Sequence, residues 1–103
     1  MSARHILDAN KHLFTKEFLL WFPENEHIWI AFVSESSKVI NAGFRHYSAR
    51  TIIHVLRHHS ALTETRSEWK INNNISPYLA RLFALVHPEH KDLFEYRKTK
   101  ASP

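Results

Sequence analysis

The chain has 103 residues, 44% of them hydrophobic and including 7 Phe, 3 Trp and 3 Tyr, which is enough apolar material for one packed domain and excludes general disorder. Cysteine is absent and there is a single glycine, Gly43, so disulfides, thiolate metal sites and glycine-rich phosphate loops are excluded, and a turn-rich sheet is disfavoured. The net charge of +4 is unevenly spread: residues 1–36 carry three Lys/Arg against five acids, and residues 37–103 carry eleven against five.

The first helix is predicted from about Ala3 to Trp21, with a break near Thr15, because Leu7, Phe14, Phe18 and Trp21 share a stripe at helical spacing. Pro23 ends it, since the residue before a proline avoids helical backbone. A connector leads to a second helix from about Glu26 to Ala42, on which Trp29, Phe32, Val33, Ser36 and Ile40 fall on one face. Gly43 stands where a helix C-terminal glycine belongs, and Phe44 is expected to fold back onto the core.

A third helix is predicted from about Ser48 to Ala61, with Ser48 as N-cap. Its inward stripe is Ile52, Val55, Leu56 and His59; Arg50, His54, Arg57 and His58 face outward or flank it, and Arg45 and His46 lie just upstream. Residues 62–68 read as a loop. Trp69 and Ile71 alternate with Lys70 as a very short strand, one side of a small wing. The fourth helix starts at Ser76 as N-cap, with Pro77 at the first helical position. Leu79, Leu82, Phe83 and Val86 form its buried stripe, while Tyr78, Arg81 and Leu85 lie elsewhere on its circumference. Pro88 stops it, and a final turn over residues 89–97 packs Leu93 and Phe94. The expected fold is mainly α: four to five helices with a short β element, helix-turn-helix or winged-helix-like. The expected core is Trp29, Phe32, Ile40, Ile52, Leu56, Leu79, Phe83 and Phe94. Residues 1–97 form the expected single helical domain and 98–103 a flexible tail.

Several of these residues together resemble a family of small phage and prophage-type proteins: His46-Tyr47-Ser48-Ala49, Ile52 and Ile53, Leu56-Arg57, Lys70-Ile71-Asn72-Asn73-Asn74, Tyr78, Ala80-Arg81, Pro88 and Phe94. The resemblance runs from roughly Glu24 to Arg97, and the Lys-Ile-Asn-Asn-Asn run is its most specific part. His58 stands where the pattern has Trp, and Trp69 where it has Phe. The resemblance implies a helix-turn-helix-like unit, DNA binding and transcriptional regulation, and names no reaction. Residues 1–8 lack the apolar core of a signal peptide, and the runs Phe18–Phe22 and Ile28–Val33 are too short to span a bilayer. The expected location is therefore cytoplasmic, in the host cytoplasm if the protein is phage-encoded, with no membrane partner.

Two constellations carry the functional expectation. The first is Lys70, Asn72, Asn73, Asn74, Tyr78 and Arg81, grouped around the start of the fourth helix. Asparagine pairs with adenine edges or bonds phosphate oxygens, and Arg81 suits bidentate pairing with guanine or phosphate. The plainer alternatives are an asparagine turn that satisfies open backbone groups, a Tyr78 that merely packs, and an ion pair from Arg81 to Glu89 or Glu68. The second is the basic stripe Arg50, His54 and Arg57 with Arg45 and His46, in which Arg45, Arg50 and Arg57 would clamp phosphates. The expected partner is thus nucleic acid, double-stranded DNA above all, with homodimerisation left open. The loop between the third and fourth helices, Leu62 to Ile75, is much longer than a simple helix-turn-helix turn.

Nine histidines include His54 and His58 at zinc-binding spacing, with His87 and His90 as further donors. Arg57 lies between that pair and opposes a cation, and no carboxylate has motif spacing, so neither metal nor cofactor is expected. No nucleophile motif points to an enzyme. Two rivals remain. One is a protein–protein adaptor or inhibitor, such as a phage factor that blocks or redirects a host complex, in which Phe18, Trp21 and Phe22 would present an exposed apolar patch. The other is RNA binding, in which aromatic rings stack on unpaired bases.

Overall fold

Short polar residues cut the first predicted helix into pieces. The computed structural model describes residues 3–63 and 74–94, the side chains of 59–63 excepted. Helix α1 (Ala3–Ala9) ends where the Asn10 side-chain amide donates to the Ile6 carbonyl at 2.8 Å. After a 3-10 turn, Lys11–Leu13, helix α2 (Lys16–Trp21) begins at Thr15, whose Oγ1 accepts the Phe18 N–H at 3.2 Å. The break expected near Thr15 is this cap. A second 3-10 turn, Phe22–Glu24, contains Pro23, and Asn25 closes the end of α2 by donating its amide to the Trp21 carbonyl at 2.8 Å.

Helix α3 (Glu26–Asn41) buries Ile28, Trp29, Phe32 and Ser36, with Val33 and Ile40 half-buried beside them. Ser36 is sealed inside but not orphaned, since its hydroxyl donates to the Phe32 carbonyl at 2.7 Å. Gly43 has φ +96°, the left-handed conformation that a side chain resists. Its N–H bonds the Ile40 carbonyl and the Phe44 N–H bonds the Val39 carbonyl, the paired bonds of a Schellman ending. Helix α4 (Ala49–Thr63) follows, capped as expected by Ser48, whose Oγ accepts the Thr51 N–H at 3.3 Å. Helix α5 (Ser76–Val86) begins one residue earlier than its predicted first turn. Ser76 is already helical, and the buried Ile75 occupies the cap position, with its carbonyl accepting from Tyr78 and Leu79. A last 3-10 turn, Pro88–His90, leads to the buried Leu93 and Phe94.

Helix α5 is the axis of the packing. Helices α1, α3 and α4 and the Pro88–His90 turn all lie against it, and Leu79, Ala80, Leu82 and Phe83 are buried. Aromatic rings collect at both of its ends. Near the start, Tyr78 meets Phe14 and Phe18, with ring centroids 6.0 and 5.8 Å away. Further along, Phe83 meets Phe94 edge-on at 5.3 Å and Phe32 at 6.3 Å. Offset and edge-on pairs of this kind add to the energy of burial. Of the expected core, all residues are buried except Ile40, which packs half-buried against the cluster.

The structure departs from three of these expectations. Val55 is 41% exposed and does not belong to the inward stripe of α4; Ile53 takes that place. The inward direction of α4 runs through Ile52, Ile53 and Leu56, which leaves position 55 on the flank. Phe44 does not fold onto the core and is 53% exposed. Among the described residues there is no sheet, only an isolated parallel bridge between Tyr47 and Phe94. The predicted strand and wing at residues 69–71 lie outside the described residues. Among the described residues no helix is long and apolar enough to cross a membrane.

Truncating the ring at the centre of this packing, Phe83→Ala, should cost about 3–5 kcal/mol of unfolding free energy in a urea titration. Gly43→Ala should cost only about 1 kcal/mol, because a Cβ there meets no atom within 4 Å and only the backbone strain remains. Equal losses for the two variants would contradict this packing.

Candidate nucleic-acid interface

Burial of Ile52, Ile53 and Leu56 against the body turns the opposite face of α4 to solvent. Arg50, His54 and Arg57 fall at i, i+4 and i+7 on that helix; Arg50 and His54 are exposed and Arg57 is half-buried. Two clefts run beside them. The first, about 510 Å³, lies between the starts of α4 and α5 and is lined by His46, Tyr47, Ser48, Ala49, Arg50, Ser76 and Pro77. The second, about 340 Å³, is lined by Arg50, Ile53, His54, Arg57 and Ser76. Arg50 and Ser76 line both, so the two clefts adjoin there and together make up the groove.

The charged side chains among the described lining residues have one sign. Among the described residues no carboxylate lines either cleft. The first turns of α4 and α5 both reach the wider cleft, and a helix start carries partial positive charge from its aligned peptide dipoles. Arg45, exposed, stands immediately before this wall. Its far side is fixed by hydrogen bonds. The Tyr47 N–H donates to the Leu93 carbonyl at 2.8 Å, and His46 Nδ1 lies 3.1 Å from the Asp92 carbonyl. A carbonyl oxygen only accepts, so Nδ1 carries the hydrogen there.

The nine expected contact residues therefore divide. Arg50 and Arg57 line the groove and Arg45 adjoins it. Asn74 is exposed two residues before α5, while Lys70, Asn72 and Asn73 lie outside the described residues. Tyr78 is half-buried against Phe14 and Phe18, the packing alternative. Arg81 is exposed, but its Nη1 donates to the Leu13 carbonyl at 2.9 Å and its guanidinium lies 5.5 Å from the Tyr78 ring centre. Arg81 thus ties α5 to the end of the Lys11–Leu13 turn, and neither it nor Tyr78 lines the groove. Within α5 only Pro77 and Arg81 are exposed, which leaves that helix little surface to insert into anything.

The other expectations can be placed as well. Phe18 and Phe22 are fully buried and Trp21 half-buried, so these three do not form the apolar patch expected of an adaptor, although Leu20 in the same segment is exposed. His54 and His58 are exposed on α4, and His87 and His90 share a separate small cleft with Glu89. Among the described residues no three His, Cys, Asp or Glu come together as a metal site. Sequence reading missed Tyr47, Ser48 and Ser76 as groove residues. Their signal was present only in part, because each serine marked a helix start, and nothing in the pattern brought the two starts together.

Comparison of the chain with protein-family models, with curated proteins and with solved structures returned no match.

If Arg81 is a tie within the protein, Arg81→Ala should lower stability by about 1 kcal/mol, seen as a lower urea midpoint. Arg81→Lys should recover only part of that, since an ammonium lacks the planar fork that bonds and stacks together. Unchanged midpoints in both variants would contradict the assignment.

Proposed function

We propose that this chain is a nucleic-acid-binding module that grips the sugar-phosphate backbone along the outer face of α4. One observation carries the reading. Arg50 and His54, with Arg57 beside them, line two adjoining clefts that meet two helix starts and, among the described residues, no carboxylate. A linear polyanion is the ligand whose charge repeats along such a groove. The charge of the chain supports it, since the excess of Lys and Arg lies after residue 36.

In this reading α4 and α5 are the helix pair of a helix-turn-helix-like unit with an unusual division of labour. Helix α4 meets the backbone, and α5 serves mainly as the support beneath it. The resemblance to phage-type proteins adds the expectation of a regulatory role on DNA. Phosphate contacts serve duplex and single strand alike and do not separate them.

The test is a binding titration against labelled oligonucleotides of mixed sequence at several salt concentrations. Affinity should fall steeply with salt. Arg50→Ala should weaken binding to every sequence to a similar degree and lower the slope of log affinity against log salt by about 1. Salt-insensitive binding, or an Arg50→Ala variant with the wild-type slope, would contradict the proposal.

A further inference from the structure

Among the described residues, Phe44 is the large aromatic side chain that the packing leaves outside. It is 53% exposed, although the chain on either side of it is firmly held. Before it, the Gly43 turn fixes the direction of the backbone, with the Phe44 N–H bonded to the Val39 carbonyl at 3.3 Å. After it, Tyr47 is anchored by its bond to Leu93 and its bridge to Phe94. The Phe44 ring stands against Tyr47 edge-on, with centroids 5.3 Å apart and planes at 72°. Tyr47 and His46 line the wider cleft, three and two residues beyond Phe44. A ring pinned by its neighbour beside a cationic groove has one recognition chemistry to offer. It has no donor or acceptor, only a π face.

We infer that Phe44 is a stacking platform for an unpaired base, and that the groove takes single-stranded nucleic acid. The inference rests on the proposed reading of the α4 face and narrows its ligand. In a duplex the faces of the bases are covered by their neighbours, so an exposed ring finds nothing to stack on. In a single strand they are free, and a ring next to a phosphate-binding groove catches a base while the groove holds the backbone. Edge-on support by Tyr47 keeps the ring in place before the base arrives, which reduces the ordering cost of binding. Stacking is tolerant of base identity, so the site should show weak sequence preference.

The experiment compares fluorescence anisotropy titrations of the full chain with a labelled single strand of about 12 nucleotides and with a duplex of the same length. Wild type should bind the single strand more tightly. Phe44→Leu keeps an apolar side chain and removes the ring, so it controls for folding. It should lose roughly 5- to 150-fold in single-strand affinity, leave duplex affinity unchanged, and keep the wild-type salt slope, because no phosphate contact is lost. Phe44→Trp should retain single-strand binding. A duplex preference in wild type, or a Phe44→Leu variant equal to wild type on the single strand, would overturn the platform. If salt-dependent binding and the Arg50 effect persist in that case, the reading of the α4 face stands without it. Failure of wild type to bind either form at any salt would overturn both.

Discussion

Phe83 sits where three parts of the chain meet. Its ring lies 6.3 Å from Phe32 of α3 and 5.3 Å from Phe94, and α5 carries it into the middle of the buried cluster. Burying a set of rings this large supplies much of the apolar free energy that a domain of this length can gather. It also sets orientation. With α3 and α5 clamped around these rings, α4 has one way to cover the remaining apolar surface, through Ile52, Ile53 and Leu56. Arg50 and His54 then point outward by the geometry of the helix alone. The cationic wall is a consequence of the core.

The same clamp positions the other side of the groove. Phe94 is buried in the cluster, and the segment ending in it bridges to Tyr47 and accepts the Tyr47 N–H at Leu93. The approach to α4, which carries Arg45, His46 and the exposed Phe44, is thereby fastened to the core from outside its own helix. An interface built on such a fastened edge loses little freedom on binding, which is how a small positive surface becomes useful to a ligand.

Periodicity made α3, α4 and α5 legible, because each has enough turns for an apolar stripe to repeat. Local chemistry marked the Thr15 break, the Ser48 cap and the Gly43 ending, each of which depends only on residues a few positions away. What stayed hidden depended on distance along the chain. The bond from Arg81 to the Leu13 carbonyl joins residues 68 apart, and no spacing rule within one helix points to it. Phe44 was expected inside because it follows a helix-ending glycine, where an apolar residue often turns back. Here Tyr47, held by the Leu93–Phe94 segment, packs against the cluster, and Phe44 leans on it from outside. The groove itself was half legible. The basic stripe of α4 could be counted in the sequence, but the arrival of Ser76 and Pro77 opposite it is a product of packing.

The central claim is that the face of α4 from Arg45 to Arg57, together with the start of α5, is where nucleic acid lies. The most direct measurement is an amide NMR titration of the labelled chain with an oligonucleotide at low salt. The account predicts that shift changes concentrate at residues 44–57 and at Ser76 and collapse when salt is raised. Changes centred instead on the amides around the exposed Leu20 and Ile30, or the absence of any change at a saturating oligonucleotide concentration, would contradict it.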